Sequence, residues 1–179
     1  MSARISNWLC VTVARDTSPT VPRESVGTVS HDSIQTLPHD TLGLAAKRVR
    51  EIAVIEEATR TPGAPSWVIG AANLRGSILP LVDLGALLGI SAPRGAAAMP
   101  SSHAPVIVAI WEGELDGLPS TVGLVVESVS DLLEVPEAEI ERAPEFGTDV
   151  PAEILLGLAR SGDHFALLVD IERALRRSR

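Results

Sequence analysis

The chain has 179 residues, 45% hydrophobic and 21% charged, with a mean hydropathy of +0.23, the balance of a globular protein forming one large domain or two small ones. No apolar window approaches the ~18 residues of a membrane span, and the N-terminus MSARISNWLCVTVARD lacks the zones of a signal peptide. Twenty-three acidic and fifteen basic residues give a net charge of −8, and the excess lies wholly in residues 91–179, with 15 acids against 7 bases. From Glu112 to Glu153 twelve acids face one base, Arg142, so a phosphate backbone is repelled and nucleic acid is a poor partner. That acidic run reads either as a solvated face or as a docking surface for a basic partner.

In chain order, residues 1–32 are rich in Ser, Thr, Pro and Arg and read as an N-terminal arm, with Trp8–Val13 as a candidate extra strand. Short runs rich in Val, Ile and Leu then predict strands at Ser33–Leu37, Ser66–Ala72, Ser77–Val82, Val106–Trp111, Val122–Glu127, Ile154–Ala159 and His164–Val169. Asn73-Leu74-Arg75-Gly76 and Arg160-Ser161-Gly162-Asp163 predict hairpin turns, where glycine tolerates positive φ. Asp83 and Asp170 each close a strand and stand ready to cap short helices over Leu84–Leu88 and Ile171–Arg177. Ser91–Pro105, loose in prolines and small residues, reads as a connector.

Sliding the chain against itself reveals a repeat. At an offset of 87, Gly70 meets Gly157, Leu81-Val82-Asp83 meets Leu168-Val169-Asp170, and Leu88 meets Leu175. At an offset of 80, Gly43-Leu44 meets Gly123-Leu124 and Val49 meets Val129. Two collinear offsets imply two copies of one β-rich unit that differ by a seven-residue loop. By this repeat, Ser33–Leu37 turns through Pro38-His39-Asp40-Thr41 into Leu42-Gly43-Leu44. Units of this size with about five short strands close economically into small barrels. The expected layout is a first barrel over 33–90, a connector over 91–105, a second barrel over 106–170 and a helix over 171–177.

Catalytic chemistry has few handles. His31, His39, His103 and His164 lie far apart with no metal-ligand spacing. Cys10 is the only cysteine, which excludes an intrachain disulfide, fits the cytoplasm and reads as an inert thiol. There is no P-loop, G-x-G-x-x-G or G-x-S-x-G motif, and Glu56-Glu57 is an ordinary surface pair. A small β-barrel enzyme survives as an alternative only if catalytic groups converge in space.

The segment Val68-Ile69-Gly70-Ala71-Ala72-Asn73-Leu74-Arg75-Gly76-Ser77-Ile78-Leu79-Pro80-Leu81-Val82-Asp83-Leu84 resembles the hallmark of the CheW-like family, roughly G-x-x-N-L-R-G-x-I-x-P-x-x-D-L. Lys47–Ile52 is similar to the family's K-V-x-E-I segment, Val122–Leu132 to its V-G-x-x-V-D-x-V-x-D-V strand, and Ala143–Phe146, Ile154–Gly157 and Leu168–Glu172 to its closing segments. The resemblance covers residues 33–177 and implies a mainly β fold of two intertwined SH3-like five-stranded barrels with a few short helices. It also implies a non-catalytic adaptor, without cofactor or metal. Such an adaptor joins the cytoplasmic tip of methyl-accepting chemoreceptors to the regulatory domain of the histidine kinase CheA, with other family members as further partners and no direct membrane insertion. Related pathways controlling pili, gliding or development use the same domain. Carried onto this sequence, the interface residues are Val49, Glu51, Ile52, Gly70, Asn73, Leu74, Arg75 and Gly76. Arg75 either forks hydrogen bonds to a partner or braces its own turn. Val49 and Ile52 fit barrel core and groove lining equally. Gly70 reads as a close-packing position, and Asp83 as a cap.

Overall fold

The computed structural model describes residues 4–13, 41–93, 105–142, 148–161 and 164–178. Among the described residues ten strands form two five-stranded sheets, which makes the fold mainly β with two short α-helices. In chain order these are β1 (Ile5–Thr12), β2 (Thr41–Ala45), β3 (Val49–Ile55), β4 (Val68–Leu74), β5 (Ser77–Asp83), α1 (Leu84–Leu88), β6 (Val106–Leu115), β7 (Leu118–Val126), β8 (Ser128–Pro136), β9 (Leu155–Ser161), β10 (His164–Val169) and α2 (Ile171–Arg177). The first sheet runs β8-β1-β2-β10-β9 and the second β3-β6-β7-β5-β4.

The two orders are the same pattern with the halves of the chain exchanged. β1 and β2 pair antiparallel and β2 lies parallel to β10; likewise β6 and β7 pair antiparallel and β7 lies parallel to β5. The parallel pairs carry the repeat, since Leu168 sits opposite Gly43 and Leu81 opposite Gly123. A Cβ on Gly43 would lie 2.5 Å from Leu168 Cδ2, and one on Gly123 would lie 2.8 Å from Leu81 Cδ2. Each copy therefore places a leucine methyl against its facing glycine, and a side chain there would displace that leucine. Asp83 and Asp170 accept from Ala86 N and Arg173 N, capping α1 and α2 as predicted.

Three apolar clusters hold the layers. One fills the second barrel (Ile69, Leu79, Leu81, Val108, Ile110), another fills the first (Trp8, Cys10, Leu133, Val135, Leu168). The largest lies between them, where Leu42, Leu44, Leu84, Leu88, Leu124, Ile154 and Leu175 meet. Each buried leucine there stabilises the fold by about 2 kcal/mol, so the shared core joins the barrels more tightly than a flexible hinge would.

Several expectations change. Trp8–Val13 does not belong to an appended arm: β1 lies between β8 and β2, with Trp8, Cys10, Val11 and Val13 buried. β1, rather than Ser33–Leu37, is the antiparallel partner of Leu42–Leu44, because Cys10, Val11 and Thr12 pair with Gly43, Leu42 and Thr41. Ser33–Leu37 and the turn residues 38–40 lie outside the described residues, as do 94–104 of the connector, 143–147, and 162–163 of the second predicted turn. The contiguous barrel ranges 33–90 and 106–170 also fail, since each sheet draws strands from both halves. The chain changes sheet through a 3-10 turn at Ala46–Arg48 and again at Glu127, which splits the strand read across Val122–Leu132 into β7 and β8. The hairpin that joins β6 to β7 is strand almost to its tip, where Asp116 and Gly117 have φ of 53° and 79°.

Candidate functional site

A β-bulge in β3 sets the site. Val49 pairs with Trp111 and Glu51 with Ile110, so Arg50 is an extra residue in the ladder. Side chains directly opposite one another share a face, and the bulge puts Val49, Ile52 and Val54 with Trp111, Ala109 and Ile107, on the face that continues the shared core. Glu51, Ala53 and Ile55 turn instead toward the interior of the second barrel. Because β3 ends its sheet, Ile52 and Val54 are 48% and 62% exposed. A cleft of about 190 Å³ opens beside this stripe between the barrels, lined by Ala45, Lys47, Arg48, Trp111, Leu156 and the start of α2.

The turn joining β4 to β5 approaches Glu51 from the other end of the sheet. Leu74 pairs with Ser77, leaving Arg75 and Gly76 as the two loop residues, with φ of 51° and 87°. That is the mirror-image turn that suits a two-residue hairpin. Asn73 Oδ1 accepts from Gly76 N at 2.8 Å and fixes the loop. Arg75 then reaches back, its Nη2 2.8 Å from Glu51 Oε2 and its Nη1 3.3 Å from Oε1. Arg75 is 77% exposed and Glu51 23%. An exposed pair of this kind contributes only about 0–1 kcal/mol to stability; its consequence is to hold a guanidinium at a defined place on the surface.

Of the eight residues named from the sequence, the fold brings Glu51 and Arg75 into contact through Asn73 and Gly76, and sets Val49 and Ile52 on the opposite face of β3. Gly70 and Leu74 face inward. Leu74 packs on the second barrel's core, and a Cβ on Gly70 would lie 2.4 Å from the Thr59 carbonyl oxygen. Gly70 thus admits the Thr59–Ala71 bridge, in which each residue's N–H donates to the other's carbonyl at 2.8 Å. Together with the Arg75–Glu51 pair, this bridge ties the β4 end of the sheet to the β3 side.

Four residues around the site were not singled out from the sequence. Val54 continues the alternation begun at Ile52. Arg50 is the bulge residue, and its Nη1 lies 2.7 Å from Glu112 Oε1 and its Nη2 3.3 Å from Glu51 Oε1. Glu112 had registered only as the first member of the acidic run. Ile78, inside the hallmark, is 83% exposed on β5.

Elsewhere chemistry is sparse. Burial, with Asp131 nearby, pushes the Cys10 thiol up to about 11, so it stays protonated and unreactive at neutral pH. Among the described residues no group of three or more His, Cys, Asp and Glu is placed to hold a metal ion, and no helix is long and apolar enough to cross a membrane. His31, His39 and His103 lie outside the described residues.

The model of the CheW-like domain family matches residues 35–179. The chain belongs to the CheW-like family. It is 33% identical over 136 residues to the chemotaxis protein CheW of Klebsiella aerogenes, covering 74% of each chain. It is 35% identical over 124 residues to the chemotaxis protein CheW of Rhizobium meliloti, covering 69% of this chain and 73% of that one. Protein FrzA of Myxococcus xanthus is 29% identical over 140 residues, 77% of this chain and 80% of its own. The crystal structure of the scaffolding protein TtCheW from Thermoanaerobacter tengcongensis shares the fold, with a TM-score of 0.63 at 20% identity, covering 97% of this chain and 89% of that one. The intertwined pair of five-stranded SH3-like barrels is therefore the family fold. As a member of the CheW-like family, the chain is a chemotaxis scaffold and not an enzyme.

Proposed function

We propose that this scaffold couples the cytoplasmic tips of methyl-accepting chemoreceptors to the regulatory domain of the histidine kinase CheA, at membrane-bound arrays on the cytoplasmic side. The observation that carries the proposal is the exposed Arg75 guanidinium, held by Glu51 on one face of β3 while Val49, Ile52 and Val54 form an apolar stripe on the other. Apolar residues on a free sheet edge offer a helix or strand an anchor, and a fixed guanidinium held by the same strand selects a carboxylate or a row of carbonyls. Relatives named for chemotaxis support the same reading. Each contact is weak by itself, and the repetition of the array supplies avidity.

Co-sedimentation of the protein with receptor tip fragments and with the CheA regulatory domain, separately and together, tests the proposal. A bidentate charged hydrogen bond lost from an interface costs about 1.5–3 kcal/mol, so Arg75→Ala should weaken receptor binding by about tenfold to a hundredfold, and Arg75→Glu by more. Arg75→Lys should rescue only partly, because an ammonium lacks the planar fork. Receptor binding by Arg75→Glu at wild-type strength would remove Arg75 from the interface. Failure of the wild type to bind either partner would overturn the coupling function.

A further inference from the structure

The four charged groups at the site form an alternating chain across two strands and the β4–β5 turn. Glu112 on β6 holds Arg50 at 2.7 Å, Arg50 touches Glu51 at 3.3 Å, and Glu51 holds Arg75 at 2.8 Å. The bonds are unequal in an informative way. Each arginine has one close carboxylate, Glu112 for Arg50 and Glu51 for Arg75, and the central contact is the long one. Glu51 Oε1 is shared, lying 3.3 Å from both Arg50 Nη2 and Arg75 Nη1. Arg50 is also the bulge residue of β3, so no ladder partner on β6 fixes its direction, and Glu112 does so through its side chain.

From this we infer that Glu112 is a positioning residue for Arg75, acting through Arg50 and Glu51. With Glu112 in place, Arg50 is drawn toward β6 and leaves Glu51 Oε2 to Arg75. Without it, Glu51 is the carboxylate already in contact with Arg50, a guanidinium in need of a partner. Arg50 then competes for both oxygens, and Arg75 loses its anchor. Glu51 engages Arg75 through the two terminal nitrogens, which leaves the Nε edge directed away from that carboxylate. An anchored Arg75 thus presents a preorganised edge, and a released one must be ordered at the moment of binding. The inference rests on the reading of Arg75 as a partner contact and adds β6, at the base of the long acidic hairpin, to the elements that set its affinity.

The test uses Glu112→Gln, which keeps the shape and removes the charge, in the full-length protein. The free protein gives the first readout. The Arg75 side-chain N–H signals in a nitrogen-edited spectrum, assigned through Arg75→Lys, should broaden or shift in Glu112→Gln, return in Glu112→Asp, and stay as in wild type in the double variant Arg50→Ala/Glu112→Gln, where no competitor remains. A receptor tip fragment gives the second. Exposed charge pairs in a network contribute modestly, so affinity should fall about twofold to fivefold in Glu112→Gln, and the fall should vanish in the Arg50→Ala background. Arg75 signals identical to wild type in Glu112→Gln, or an equal loss with and without Arg50, would overturn the inference. If Arg75→Ala itself binds the fragment like wild type, the partner reading fails instead, while the spectral readout still judges the coupling between Glu112 and Arg75.

Discussion

Gly70→Ala separates a packing role from a partner contact. The added Cβ would lie 2.4 Å from the Thr59 oxygen, 3.1 Å from its carbonyl carbon and 3.4 Å from Arg60 Cα, all backbone atoms with no rotamer to change. Relief requires that the segment around Thr59 move away, breaking the two 2.8 Å hydrogen bonds with Ala71. Two such bonds contribute about 0.5–1.5 kcal/mol each, and the residual overpacking costs about 1–3 kcal/mol, so a loss near 3 kcal/mol is expected. In a domain of this size that lowers Tm by roughly 10 °C. Urea and thermal unfolding followed by tryptophan fluorescence will read it, since Trp8 and Trp111 are buried in the cores. Gly63→Ala is the control: its φ of 75° carries backbone strain but nothing lies within 4 Å of the added Cβ, so its cost is about 1 kcal/mol. If Gly70→Ala loses no more stability than Gly63→Ala, the close-approach reasoning is wrong. A glycine that served the partner instead would lose receptor binding at undiminished stability.

Two further outcomes follow from groups away from the site. The Cys10 thiol titrates near 11 in the folded chain against an ordinary 9.0, so the folded state holds this proton more tightly. Its stabilising contribution is complete below pH 9 and is lost as pH rises toward 11, so the alkaline fall in stability should be shallower in Cys10→Ala, as read by urea unfolding at pH 8 to 11. The equivalent caps differ in burial, with Asp83 only 1% exposed. Asp83→Ala should cost about 2 kcal/mol and Asp170→Ala about 1 kcal/mol; equal losses would show that burial of the cap does not matter.

The short apolar runs and the repeat placed most strands and both helices, because period-two patterning and capping aspartates act locally. β10, α1 and α2 have the predicted limits. Glycines 43 and 123 stood out in the repeat because each faces a leucine across a parallel pair, a physical constraint that persists in both copies. Connectivity was less legible. Nothing local in Glu127 states that the chain leaves one sheet for the other there, and the Trp8–Val13 run, legible as an extra strand, gave no sign that its partners lie as far away as Pro136. At the site, Arg75 and Glu51 were readable individually, yet the Arg50–Glu112 link depends on a one-residue bulge, which leaves no periodic trace when the residues on either side still alternate.

The exchange of strands between the halves also determines how the molecule bears load. A partner gripping the free edge at β3 pulls on a strand whose predecessor, β2, is in the other sheet, across only the three residues Ala46–Arg48. The return passage at Glu127 is one residue long, and its N–H is itself bonded to the Thr12 carbonyl. Neither link has slack, so tilting one barrel against the other would have to stretch backbone as well as open the leucine layer between them. With the shared leucine layer between them, these two short links make the pair of barrels a single stiff body.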